Sequence, residues 1–188
     1  MGQKRKVAVT GIGLVSCFGT GITPFAEAIF SGKSGVKRID TFDVSDFPVK
    51  IAATLGEFNP ADYLSPKDAK RYDIYISLAV AVARMALEMA NLEITDENRD
   101  RVGVYMGSGI GGIRTLYEQT AVLLQRGHSR VSPLFIPNAI VNSAAGVIAI
   151  EMGMTGANFA HVSACSTANH SIGEAFRAVR DGYLDVCV

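Results

Sequence analysis

The stretch Ala157-Asn-Phe-Ala-His-Val-Ser-Ala-Cys165-Ser-Thr-Ala-Asn-His-Ser-Ile-Gly173 carries two kinds of periodicity that meet at its cysteine. The residues before Cys165 suit a buried strand. After it Ile172, Ala175, Phe176 and Val179 recur at helical spacing, and Gly182 is placed to close the helix. Such a junction sets a thiol at a helix N-terminus, where unpaired backbone N–H groups and the positive end of the dipole favour the thiolate, the nucleophilic form. The same N–H groups can stabilise the oxyanion formed when sulfur attacks a thioester carbonyl. By spacing alone a buried structural cysteine accounts for Cys165 equally well, because free cysteine is among the most often buried residue types.

Outward from this junction, the chain alternates short apolar runs with helical patterns. Val7-Ala-Val-Thr10 reads as a first buried strand ended by Gly11 and Gly13, and Thr23 with Pro24 starts a short helix that Gly32 stops. Residues 36–63 read as an irregular excursion of loops and small strands. Ser65-Pro-Lys-Asp68 is a capping signal for a helix over about 66–91, apolar on nearly every face beyond Ile74 and therefore mostly buried. Val102 to Met106 reads as a strand opening onto the glycine-rich Gly107-Ser-Gly-Ile-Gly-Gly112. Leu116–Gln125 and Asn138–Met152 read as helices, Phe159–Ser163 as a strand, and Asp185–Val188 as the start of another. Strands separated by helices imply a parallel sheet covered on both faces.

Composition bounds the rest. A chain of 188 residues with 48% hydrophobic and 19% charged residues suits one soluble globular domain. Its formal net charge of zero gives no electrostatic case for nucleic acid or an anionic membrane. Cys17, Cys165 and Cys187 form neither a disulfide framework nor a metal-ligand spacing, which fits a reducing cytoplasm, and His128, His161 and His170 add no ligand cluster, so no metal is expected. The basic Met1–Lys6 leads into too short an apolar run for a signal peptide. The apolar segment 74–90 carries Arg84 and Glu88, which suits a core helix rather than a membrane span. Gly11-Ile-Gly13 after a strand lacks the third glycine and the acidic residue of a dinucleotide site, leaving a tight turn that needs small residues. Gly107–Gly112 reads by composition as a flexible loop. Lys67, Lys70 and Arg71 share one helix face, ordinarily a solvated one.

The segment Val162-Ser-Ala-Cys165-Ser-Thr-Ala-Asn-His-Ser-Ile-Gly173 resembles the nucleophile motif of the elongating beta-ketoacyl-acyl-carrier-protein synthases. Further resemblance lies at Val7–Gly13, Gly32–Gly35, Gly107–Gly112 and Ser132-Pro-Leu-Phe-Ile-Pro-Asn138, in the family's order. The resemblance implies the thiolase-like α/β fold, five-layered α-β-α-β-α in the full family. Residues 1–188 correspond to its N-terminal ketosynthase half, with a mostly parallel sheet flanked by helices, ending within the fourth core strand. It implies an acyltransferase of type II fatty-acid synthesis in which Cys165 accepts the acyl group before decarboxylative condensation with malonyl-acyl-carrier protein.

By the same resemblance Ile110 is the candidate wall of the acyl tunnel, with Phe135 and Ile136 offered across a dimer. Lys67, Lys70 and Arg71 match the patch that docks the acidic acyl carrier protein. No redox or metal cofactor is implied, the substrate riding on the carrier's phosphopantetheine arm. A homodimer is expected through the strand preceding Cys165, with no nucleic-acid or membrane partner. The condensation step needs two histidines and a lysine that find no match here, so the 188-residue chain alone is expected to be inactive in condensation. It is also expected to expose apolar surface on the helix after Cys165 and on 74–90. His170 reads as a buried helix residue rather than a base. The alternatives are a non-catalytic partner of the chain-length-factor type, which usually replaces the cysteine, and a thiolase or starter-unit synthase, which differs after it.

Overall fold

The computed structural model describes residues 4–188, so Met1, Gly2 and Gln3 of the basic stretch lie outside the described residues. The chain opens with an antiparallel pair, β1 (Val15–Ser16) and β2 (Gly19–Thr20), followed by α1 (Ile22–Phe30). Helix α1 is capped at Gly21 rather than Thr23, and Gly32, at φ +68°, follows its end. The excursion holds a second antiparallel pair, β3 (Lys37–Arg38) with β4 (Ile51–Ala52). Then come α2 (Pro66–Arg71), α3 (Ile74–Ala90), β5 (Val102–Tyr105), α4 (Ile113–Arg126), α5 (Phe135–Ala139) and α6 (Ser143–Met152). The chain closes with β6 (Asn158–Phe159), α7 (Thr167–Arg180) and β7 (Val186–Cys187).

Strands β6, β5 and β7 form a parallel sheet in that order, with β5 central and Val102 and Val104 each 1% exposed. These two valines join Ile76, Val80, Ala145 and Ile148 in one core, which places α6 on the sheet and α3 against α6. Strand alternation turns Gly103 to the opposite face, where Leu184 lies 2.5 Å from the position a Cβ would take. The sheet is thus covered from both sides, as the strand–helix alternation predicts, and Arg84 of α3 pairs with Glu151 of α6 at 3.1 Å.

Several sequence expectations need correction. Val7–Thr10 is not a buried strand: Val9 is exposed, and these residues form no backbone ladder among the described residues. Gly11 and Gly13 serve close approach rather than a tight turn. A Cβ on either would come within 1.9 Å of a carbonyl oxygen of α3, Ala86 for Gly11 and Val82 for Gly13. The helix expected over 66–91 is two helices, because Tyr72 and Asp73 are extended and the Asp73 carboxylate caps α3. The helix expected over 138–152 is also broken. The Ala139 carbonyl accepts from Gly112 N–H at 3.1 Å and the Ile140 carbonyl accepts from the Tyr75 hydroxyl, so neither serves a continuous helix. The strand expected over 159–163 is only Asn158–Phe159, because its ladder with β5 ends at the bond from Met106 N–H to the Phe159 carbonyl, and it is exposed at the edge of its sheet. Surface is left open on α7, where Ile172 and Phe176 are exposed, whereas α3 is largely buried and exposes Met89. No helix of the described residues is long and apolar enough to cross a membrane.

Candidate active site around Cys165

Cys165 sits in a 3-10 turn, Ala164–Ser166, that connects the end of β6 to the first turn of α7, and it is exposed. Ala164 immediately before it has φ +50°, one of two non-glycine residues in the left-handed region among the described residues. That conformation crowds an L side chain and costs roughly 1–2 kcal/mol, so the surrounding bonds must hold it. Ser166 N–H closes the turn on the Ser163 carbonyl at 3.0 Å, and the Ser163 N–H donates to the Thr167 hydroxyl at 2.9 Å. Ser163 Oγ lies 2.6 Å from His170 Nδ1, one turn along α7, and Ser171 Oγ lies 3.2 Å from His161 Nδ1. His170 is exposed, contrary to the expectation of burial, because α7 presents that face outward. Helix α7 receives no side-chain cap, and the Cys165 N–H donates to no protein acceptor among the described residues.

The other two cysteines differ in setting. Cys187, on β7, has its thiol pushed up to about 12 by burial, and Cys17 is half-buried. A Cβ at Gly35 would fall 2.3 Å from the Cys17 sulfur. Cys165 is the exposed one of the three.

The glycine-rich segment links this turn to the candidate acyl-pocket residues. At one end, a Cβ on Gly107 would lie 2.2 Å from Thr167 Cγ2, so only glycine lets the end of β5 pass beneath the cysteine turn. At the other, a Cβ on Gly112 would lie 1.9 Å from the Asn138 carbonyl of α5. Composition reads this segment as a flexible loop, but it is pinned at both ends. Ile110 projects from it 63% exposed, Ile136 on α5 is 57% exposed, and Phe135 is half-buried. Phe135 lines a cleft of ≈ 470 Å³ with Lys70, Arg71, Asp73, Thr115 and Gln119; Cys165, Ile110 and Ile136 do not line it.

Lys67, Lys70 and Arg71 are exposed on α2, which Ser65 caps as expected: Ser65 Oγ accepts from Asp68 N–H at 3.1 Å. None of the three cations forms an ion pair among the described residues. No group of three or more His, Cys, Asp or Glu side chains is placed to hold a metal ion among the described residues. Sequence reasoning missed Asp73. Its carboxylate, 7% exposed, accepts from Tyr75 N–H at 3.1 Å and from the Thr115 N–H and hydroxyl at 2.9 and 2.6 Å, tying the start of α3 to α4 beside the cleft. The available signal was an aspartate directly before an apolar helical run. Thr167 was missed too, with no signal beyond its place after the cysteine.

Residues 4–188 match the model described as "Beta-ketoacyl synthase, N-terminal domain". The chain is 41% identical over 186 residues to a 3-oxoacyl-[acyl-carrier-protein] synthase 2 of Coxiella burnetii, covering 99% of this chain and 45% of that protein. It is 39% identical over 186 residues, with the same coverage, to one from Vibrio harveyi. The chain therefore spans about half the length of the curated relatives it matches. Among solved structures, the ishigamide ketosynthase/chain length factor superposes with a TM-score of 0.86 at 26% identity, over 98% of this chain and 46% of that one.

Proposed function

We propose, for a chain that belongs to the beta-ketoacyl synthase family, that Cys165 is the acyl acceptor of an elongating 3-oxoacyl-acyl-carrier-protein synthase. The observation that carries this reading is the exposed thiol on a strained turn at an uncapped helix N-terminus. In the acyl-transfer step the Cys165 thiol gives its proton to solvent and the thiolate attacks the thioester carbonyl. The oxyanion forms beside the unengaged Cys165 N–H, and the carrier's carbon–sulfur bond breaks. The departing pantetheine thiolate takes up a proton, leaving the acyl group on Cys165. In the whole protein, loss of carbon dioxide from a malonyl thioester then generates a carbanion that attacks this acyl carbonyl, and the Cys165 thiolate is released.

The acyl carrier protein is the partner, docking on Lys67, Lys70 and Arg71, which form no ion pair among the described residues and so offer three cations to an acidic surface. Ile110 walls the acyl tunnel, and Phe135 and Ile136 serve the tunnel of a second subunit. The exposed edge of β6 supports a homodimer formed through the strand before Cys165. No cofactor takes part beyond the pantetheine arm, and the protein works in the cytoplasm. A chain-length-factor role has support in the likeness to the ishigamide ketosynthase/chain length factor, but a retained cysteine on a strained turn favours the catalytic reading.

The test offers the protein the same acyl group on acyl carrier protein and on a small thioester. Both should leave an acyl adduct on the Cys165 peptide, absent in Cys165→Ala. Charge reversal at Lys67, Lys70 and Arg71 should slow only the carrier-borne reaction and weaken its salt dependence. Acylation elsewhere, or equal slowing with both donors, contradicts the proposal.

A further inference from the structure

The bonds around the cysteine turn converge on one residue, and we infer that Thr167 is the positioning residue for Cys165. The inference rests on the reading of Cys165 as acyl acceptor. Thr167 is 6% exposed, and both ends of its side chain are engaged. The hydroxyl accepts the Ser163 N–H at 2.9 Å, while the methyl carbon Cγ2 fills the space left by the missing Cβ of Gly107.

The consequence lies in the residues between. Ser163 and Thr167 bracket the turn that holds Ala164 at φ +50° and presents Cys165. An alanine in the left-handed region relaxes to an ordinary conformation unless its flanks are fixed, and the relaxation swings the next residue away from its place. The Thr167 hydroxyl fixes the upstream flank to the helix, and the contact with Gly107 fixes the helix to the end of β5. The Ser163–His170 contact at 2.6 Å is exposed at His170, so water competes for it, whereas the Thr167 bond is part-buried and better sheltered from that competition. Thr167 therefore controls where the sulfur and the Cys165 N–H stand relative to an incoming carbonyl, without touching the substrate.

The experiment measures the acylation rate of Cys165 by a small acyl thioester in the 188-residue chain, with thermal melting alongside. Thr167→Val keeps the methyl against Gly107 and leaves the Ser163 N–H unpaired. Acylation should slow by about 10- to 100-fold, the scale of an ångström-sized misplacement. Thr167→Ser keeps the hydroxyl and should stay close to the wild-type rate. Adding Ala164→Gly to Thr167→Val should recover part of the loss, because glycine adopts the left-handed conformation without the steric cost.

A Thr167→Val protein that melts lower yet acylates at the wild-type rate overturns the inference, since the bond then serves stability alone. A serine variant that slows while the valine variant keeps the wild-type rate overturns it too, by assigning the effect to the methyl against Gly107. Absence of an adduct on Cys165 in the wild-type chain overturns the acyl-acceptor reading itself, and the role of Thr167 with it.

Discussion

Two helix N-termini in this chain are built in opposite ways. At α3 the first turn is closed by Asp73, whose nearly buried carboxylate accepts from Tyr75 and twice from Thr115. At α7 no side chain among the described residues caps the first turn, Ala164 before it is left-handed, and an exposed thiol stands beside an N–H that no described residue accepts. Both ends carry the positive pole of a helix, and an anion is the natural complement of each. The protein supplies its own anion to α3 and leaves α7 open. Helices α1, α4, α5 and α6 likewise lack a side-chain cap among the described residues, so what sets α7 apart is the left-handed Ala164 and the exposed thiol at its start rather than the missing cap alone.

Breaking the two ends should therefore have unequal effects on stability. Asp73→Ala removes a cap and strands the Thr115 donors, so chemical denaturation should show a loss of about 2–3 kcal/mol. Ser166→Ala, at the corresponding position of α7, removes no capping bond and should stay within about 0.5 kcal/mol of wild type. A large effect at Ser166 and none at Asp73 would reverse the contrast.

Two glycines differ in the same way. Gly107→Ala drives a methyl into Thr167 Cγ2 beneath the cysteine turn. It should cost about 1–3 kcal/mol and slow Cys165 acylation. Gly173, further along α7, has open space where a Cβ would stand, and Gly173→Ala should gain up to about 1 kcal/mol in denaturation without changing the acylation rate.

The parts of this arrangement legible in the sequence are those written in contiguous residues. Ser65, Pro66 and Asp68 announce the start of α2, and the period change at Cys165 announces the junction, because both signals lie within a few positions of their effect. What escaped depends on residues distant in the chain. The break before α3 is held by Asp73 meeting Thr115, and the break before α6 by carbonyls that serve Gly112 and Tyr75. The strand before the cysteine is short because its ladder with β5 ends at Met106, and the next residue, Gly107, has Thr167 lying against it. Apolar periodicity on α7 reads as burial, yet Ile172 and Phe176 are exposed in the chain as it stands.

If the open helix end presents a reactive thiol, competitive alkylation of the three cysteines separates Cys165 from the other two. The folded protein is treated with iodoacetamide at pH 8 and the modified peptides are followed by mass spectrometry. Burial that pushes the Cys187 thiol up to about 12 keeps it protonated there, so Cys165 should react at least about 100-fold faster than Cys187 and ahead of the half-buried Cys17. In urea the three rates should converge. Equal rates at all three cysteines in the folded protein would contradict the account.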